Sequence, residues 1–152
     1  MATVRERLDA DLKDAMRAKN ELNTSVLRML KSAIKYKEVE PGANGPLDEA
    51  GILQIIGTLI KQRRDSVEQF KAGNRSDLAD KEEAEIAVLQ KYLPQQLTPD
   101  ELRAAVQAGI AEVGAKSAKD MGAVMKNLSP KLQGRAEGRA ISEEVKNQLS
   151  KL

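Results

Sequence analysis

Apolar residues recur at three- and four-residue spacing along almost the whole 152-residue chain, and no stretch alternates apolar and polar residues as a half-buried strand does. This pattern predicts seven helices and no sheet. Only three residues are aromatic, so Leu, Ile, Val, Met and Ala must fill the core, as they do in helical bundles. The predicted fold class is therefore all-α, with room for one ordinary core or two small ones.

Proline and glycine divide the helical pattern into a larger group and a smaller one. Three helices are predicted over about residues 4–19, 23–39 and 48–71, with Asn20 or Asn23 as the cap of the second and Gly73 at the C′ position of the third. A fourth helix follows from Asn74 or Arg75 and stops before Pro94. These four helices make up a predicted N-terminal region, residues 1–95.

A second, three-helix domain is predicted over residues 96–152. Its first helix starts at Thr98-Pro99-Asp100-Glu101, which supplies an N-cap, a proline at the first helical position and an acid two residues later. The next helix is expected to begin within Ser117–Asp120 and to be ended by Pro130 and Gly134. The last helix buries Ile141, Val145 and Leu149.

The residue types present exclude most familiar catalytic chemistry. Cysteine and histidine are absent, which removes disulfides, thiolate and imidazole metal ligands, and catalytic triads. The segment Gly134-Arg135-Ala136-Glu137-Gly138 lacks the preceding strand and the lysine of a nucleotide-binding loop. An acidic cluster is interpreted as a solvated surface because its members spread over more than one helical face. It comprises Asp80, Glu82, Glu83 and Glu85. We predict no catalytic residue, no metal and no cofactor.

The amino terminus, residues 1–7, is charged rather than apolar. No run of apolar residues approaches the roughly 18 that a membrane-spanning helix needs. The sequence therefore predicts no membrane association and a cytoplasmic location.

Positive charge concentrates between residues 116 and 139, where six basic residues face two acidic ones, whereas residues 1–95 hold 16 of each. The six basic residues are Lys116, Lys119, Lys126, Lys131, Arg135 and Arg139. Predicted helix starts near Ser117 and Glu137 would add backbone N–H donors for phosphate. These features make the segment a candidate RNA-binding surface.

Other basic residues carry less weight. Lys61, Arg63 and Arg64 are followed closely by Asp65 and Glu68, so they are interpreted mainly as a surface salt-bridge network. Arg28, Lys31 and Lys35 line one side of the second helix, and whether they extend the basic surface stays open.

The scarcity of aromatic residues bears on the kind of RNA. Tyr36, Phe70 and Tyr92 are expected mainly in packing, so no stacking platform for single-stranded bases is predicted. An RNA ligand would be recognised by its folded shape and its phosphates.

Three segments carry a family resemblance: Tyr92-Leu93-Pro94-Gln95-Gln96-Leu97, Asp120-Met121-Gly122-Ala123-Val124-Met125 and Gly134-Arg135-Ala136-Glu137-Gly138. In these segments the chain resembles the YqeY family, small bacterial proteins with a GatB/YqeY domain, and the resemblance covers essentially the whole chain. The second domain is similar to the tail of GatB, a subunit of the glutamine-dependent amidotransferase that converts misacylated Glu-tRNA or Asp-tRNA to Gln-tRNA or Asn-tRNA. The resemblance implies an all-helical fold with a larger N-terminal bundle and a three-helix tail.

The resemblance also implies a function. The GatB tail is associated with holding the tRNA body, and the catalytic chemistry lies in other domains and subunits. The resemblance therefore implies a noncatalytic module whose RNA contacts are the six basic residues of the 116–139 segment. Gly122 and Gly134 would permit close backbone approach or a tight turn. Ala123 departs from the family, in which a Lys or a similar polar residue is common at this position.

Three functional hypotheses follow. In the first, residues 96–152 bind tRNA or another folded RNA and residues 1–95 supply a scaffold or a second contact. In the second, helical grooves bind an amidotransferase or another tRNA-processing enzyme. In the third, the chain is an amidotransferase component that contributes to carbon–nitrogen ligation, although the missing active-site groups argue against independent catalysis.

Overall fold

The computed structural model describes residues 2–152, and within them the chain forms seven α-helices and no strand, which confirms the all-α prediction. The helices are α1 (Val4–Arg17), α2 (Glu21–Val39), α3 (Glu49–Ala72), α4 (Ser76–Gln90), α5 (Pro99–Val113), α6 (Met121–Leu132) and α7 (Gly138–Leu149). No helix in this part of the chain is long and apolar enough to cross a membrane. The chain divides into two compact units, Met1–Leu93 and Pro94–Leu152.

The first unit packs α1 to α4 around one aliphatic core. Its fully buried side chains include one from each helix, namely Leu8, Leu30, Ile56 and Leu89. Each lies on the apolar stripe that helical spacing indicates, and burial of that stripe stabilises helices that are marginal alone. Met16, which follows the buried Ala15 on α1, is 48% exposed and lies outside this core.

Most helix starts follow local capping signals. The side chains of Thr3, Asn20 and Asp48 accept hydrogen bonds from backbone N–H groups in the first turns of α1, α2 and α3. Thr98 and Glu101 form the reciprocal capping box predicted for α5. These caps satisfy N–H groups that have no partner inside their helix, which is why short sequence signals locate helix starts well.

Predictions of helix ends were less accurate. Gly73 caps α3 with a φ of −90°, and Asn74 rather than a glycine takes the left-handed conformation, with a φ of 58°. Asn tolerates this conformation better than most residues do. Pro130 lies inside α6 and does not end it at that point. A proline in the last turn removes only one intrahelical hydrogen bond, so the helix continues to Leu132.

The carboxylate of Glu38 holds the loop between α2 and α3. It accepts a hydrogen bond from the Leu47 N–H at 2.7 Å and an ion-paired hydrogen bond from Arg5 Nη2 at 2.6 Å. The same Arg5 nitrogen donates to the Leu47 carbonyl at 3.2 Å. The Leu47 N–H, followed by Arg5, lowers the pKa of Glu38 from its ordinary value. The carboxylate therefore ties α1, α2 and the loop together in its charged form.

Glu38→Gln is expected to remove part of the acid sensitivity of folding. The pKa of Glu38 is lower in the folded chain than its ordinary value of 4.5, so its stabilisation is complete above about that pH and is lost as pH falls through the folded-state pKa. The variant should be less stable than wild type at neutral pH, and the difference should narrow on acidification. Urea midpoints across a pH series measure this. The control is Glu82→Gln, which removes the same charge from a residue that has no ion pair in the described structure. If the difference in stability between Glu38→Gln and wild type stayed constant with pH, the role given to the charged Glu38 would be contradicted.

The second unit packs α5, α6 and α7 around a smaller core. Val106, Val124, Leu128 and Val145 are its most buried side chains, and Ile141, Val145 and Leu149 of α7 face inward as predicted. A Cβ atom at Gly109 would lie 2.6 Å from Leu128 Cδ2. Gly109 therefore lets α5 approach α6 closely, which the small size of this core requires.

Candidate functional site

Two of the family motifs hydrogen-bond to each other in the second unit. The Leu97 N–H donates to the Arg135 carbonyl at 2.8 Å, and Gln96 Nε2 donates to the Gly134 carbonyl at 2.5 Å. Arg135 Nε donates in return to the Gln95 carbonyl at 3.1 Å. Gly134 has a φ of 77°, so the tight turn expected there is present. Arg135 is half-buried, and its carbonyl and side chain both make hydrogen bonds that stabilise this turn.

Lys131 is engaged within the same unit. Its Nζ lies 2.6 Å from Glu112 Oε2 on α5 and 3.4 Å from Asn127 Oδ1 on α6. The hydrogen bond from Lys131, then that from Asn127, lowers the pKa of Glu112 from its usual range. Lys131 therefore crosslinks α5 and α6, and a phosphate would have to compete with Glu112 for it.

Lys116, Lys119 and Lys126 are exposed lysines that lie just before α6 or on it, and we call them the α6 lysines. Within residues 2–152, none of their side chains makes an ion pair or a hydrogen bond. The nearby acid Asp120 is occupied by backbone donors, since its Oδ2 accepts from the N–H groups of Lys116 and Ser117 at 2.8 and 3.3 Å. The positive charge of the α6 lysines is therefore available to a ligand.

Two of these lysines flank the first turn of α6. Lys119 lies in the short 3-10 turn Ala118–Asp120 that leads into α6, and Lys126 follows seven residues later. Seven residues are close to two helical turns, or about 10 Å along the axis. Gly122 and Ala123 lie exposed between them. Apart from its chain neighbours and the backbone of its own helix, no heavy atom comes within 4 Å of a Cβ built at Gly122. A ligand could approach the helix backbone here.

Arg139 is exposed in the first turn of α7 and interacts with other groups of the protein, as does Glu137, the N-cap residue of that helix. The six predicted contacts thus divide into three groups. The α6 lysines are unpaired in the described structure, Lys131 and Arg135 hold the unit together, and Arg139 has protein partners of its own.

The other charged clusters pair between helices. Arg63 contacts Glu85 on α4 at 3.4 Å, and the two side chains are 13% and 17% exposed, so Arg63 does not belong to a surface network as predicted. Glu83 pairs with Lys71. Within residues 2–152 no group of three or more acidic side chains is arranged to hold a metal ion.

Sequence reasoning missed an exposed aromatic residue. Tyr36 is 74% exposed, so the expectation that all three aromatic residues serve mainly in packing was wrong for this one. Helical spacing contained the signal, because the buried α2 positions Leu27, Leu30 and Ile34 define a stripe that excludes residue 36.

The fold and the basic segment define an all-helical, two-unit protein whose second unit carries exposed lysines. Residues 5–149 match the family described as Yqey-like protein. The chain belongs to the YqeY family.

Relatives among curated proteins are versions of altered inheritance of mitochondria protein 41, mitochondrial, from yeasts. The protein of Lachancea thermotolerans is 44% identical over 88 residues, which cover 58% of this chain and 46% of that protein. The Saccharomyces cerevisiae protein (strain YJM789) is 39% identical over 95 residues, covering 62% and 51%. The Vanderwaltozyma polyspora protein is 42% identical over 86 residues, covering 57% and 46%. The chain spans about half the length of these relatives.

These relatives contradict two expectations. Their names place them in mitochondria and their organisms are yeasts, which conflicts with the predicted cytoplasmic location and with the description of the family as bacterial. The prediction failed because it relied on the absence of an apolar leader and of a spanning helix, and those absences do not distinguish one aqueous compartment from another.

Proposed function

We propose that this chain is a noncatalytic module that binds folded RNA, with tRNA as its ligand, through the α6 lysines. The observation that carries the proposal is their exposure without a carboxylate partner in residues 2–152. Lysines that are already paired gain little from a new anion, whereas unpaired ones release counterions from a phosphate backbone when they bind it. The resemblance of the second unit to the GatB tail supports tRNA as the RNA.

The remaining predicted contacts have different roles in this proposal. Lys131 and Arg135 are positioning residues, because their bonds to Glu112 and to the Gln95 carbonyl fix α6 and the turn that follows it. Arg139 adds positive charge at the start of α7, where backbone N–H groups favour anions. Contacts of this kind read backbone shape rather than base sequence, which suits a folded RNA.

Reversing the charge of the α6 lysines is expected to weaken tRNA binding. The full chain carrying Lys116→Glu, Lys119→Glu and Lys126→Glu should bind at least about tenfold more weakly near physiological salt, and the slope of log affinity against log salt should fall by about three. Fluorescence anisotropy of labelled tRNA across a salt series measures both quantities. A plain RNA duplex and a single strand serve as comparison ligands.

The matched control makes the same charge change elsewhere. Lys13→Glu, Lys81→Glu and Lys146→Glu alter exposed lysines outside the proposed surface. An equal loss in this control would mean that affinity follows net charge alone and would contradict the proposal. Circular dichroism melting of both variants establishes that they fold.

Two further results would overturn parts of the proposal. Absence of tRNA binding by wild type at low salt would favour a protein partner, such as an amidotransferase or another tRNA-processing enzyme. Glutamine-dependent turnover by the purified chain alone would contradict a noncatalytic role.

A further inference from the structure

The outer face of α2 presents an aromatic ring to solvent. Tyr36 is 74% exposed and Val39 is 64% exposed. Both line an open depression of about 520 Å³, which is completed by Lys31, Ser32 and Lys35.

The same face is electropositive. The helix, Glu21–Val39, contains four basic residues and two acidic ones, Glu21 at its start and Glu38 near its end. Lys31 pairs with Asp9 at 2.8 Å and Lys37 pairs with Glu40 at 2.7 Å, so these two lysines are already compensated.

Arg28 and Lys35 remain without an ion pair in the described part of the chain. The contact recorded for Arg28 is a long one, 3.8 Å from Nη2 to Met16 Sδ. Lys35 is attracted to Glu38, but that carboxylate already accepts hydrogen bonds from Arg5 and from a backbone N–H. Arg28 and Lys35 are seven residues apart, which places them on one side of the helix about 10 Å from each other.

The size and chemistry of the face favour one kind of occupant. Five residues of a single helix cover far less than the roughly 800 Å² per partner that a stable protein interface buries. A second copy of the same face would bring like charges together. An unpaired nucleotide combines a flat aromatic base with an anionic phosphate, and this combination matches one exposed ring flanked by cations.

We infer that the outer face of α2 binds an unpaired nucleotide of RNA, with the base stacked on Tyr36 and neighbouring phosphates contacting Lys35 and Arg28. The inference rests on the proposed function for the identity of the macromolecule and adds a contact that the α6 lysines cannot make. Bases within a duplex hide their faces in the stack, so this contact selects single-stranded loops or ends. It gives the first unit a binding role of its own.

The test uses the full chain and a labelled oligoadenylate about eight nucleotides long, with an abasic strand of equal charge beside it. Tyr36→Ala should weaken oligoadenylate binding about tenfold, whereas Tyr36→Phe should keep it within about twofold because the ring is retained. Tyr36→Leu should behave like Tyr36→Ala. The abasic strand should bind all four proteins equally. Because Tyr36 is exposed, these substitutions are not expected to affect folding.

A charge pair supplies a second readout. Lys35→Glu should weaken binding of the oligoadenylate several-fold more than Lys37→Glu, which makes the same charge change on a residue already paired with Glu40. Equal effects of the two substitutions would overturn the assignment of Lys35.

Several outcomes distinguish this inference from the proposed function. Unchanged affinity in Tyr36→Ala would overturn the stacking site, and Tyr36→Leu binding as well as Tyr36→Phe would indicate an apolar contact suited to a peptide. Wild type that binds tRNA through the α6 lysines but does not bind oligoadenylate would defeat only this inference. Oligoadenylate binding that depends on Tyr36, found together with tRNA binding that is unchanged by reversal of the α6 lysines, would defeat only the proposed function.

Discussion

Leu128→Ala is expected to destabilise the second unit by about 2–5 kcal/mol, the usual cost of removing a buried leucine from a core that cannot collapse around the cavity. Leu128 is 2% exposed and packs against Gly109, so it fills a close approach between α5 and α6. With only three helices to hold this core, little else can compensate. Hydrogen exchange resolved by helix should show faster exchange in α5, α6 and α7 while α1 to α4 stay protected.

The same variant tests where RNA binds and where the domains divide. At temperatures that unfold its second unit, Leu128→Ala should lose the tRNA affinity supplied by the α6 lysines. Leu30→Ala is the matched lesion in the first unit, since Leu30 is 0% exposed, and it should increase exchange in α1 to α4 instead. The predicted division into residues 1–95 and 96–152 stays a prediction until this comparison is made. Simultaneous loss of protection throughout either variant would contradict it.

Local signals allowed much of the fold to be predicted. Spacing of apolar residues located all seven helices, and cap residues such as Thr98 located their starts, because both depend on neighbours within about one helical turn. The roles of Gly73 and Pro130 at helix ends were predicted wrongly. After α3 it is the neighbouring asparagine that takes the left-handed conformation. In α6 the proline lies in the last turn, where it does not end the helix.

The candidate site was only partly predictable. Charge counting located the basic segment, but it could not reveal that Lys131 meets Glu112, 19 residues away, or that Arg135 meets Gln95, 40 residues away. Such pairs depend on which helices become neighbours, and that is set by the tertiary packing of the chain. The helical spacing of the apolar residues in α2 places Tyr36 on the solvent side of that helix. The scarcity of aromatic residues in the chain suggested instead that Tyr36 packs in the core.

The Arg63–Glu85 pair between α3 and α4 illustrates a long-range interaction with a large expected effect. Arg63 also donates to the Leu59 carbonyl at 3.2 Å and approaches Met29 Sδ at 3.2 Å, while its Nε is buried without a hydrogen-bond partner in the described residues. Glu85→Leu would leave this guanidinium largely desolvated and without its carboxylate. We expect a loss of about 1–3 kcal/mol, below the cost for a completely buried pair because both groups retain some solvent contact.

Combining Glu85→Leu with Arg63→Met should recover most of that loss. Two apolar side chains of similar volume replace two charges that each lost hydration on folding, so the double variant should be more stable than Glu85→Leu alone. Urea unfolding of wild type, both single variants and the double variant measures the coupling free energy between the two positions. If the losses of stability in the two single variants simply add in the double variant, the pair is an incidental contact. A coupling of about 1 kcal/mol or more would show that the charges stabilise the α3–α4 packing only as a pair.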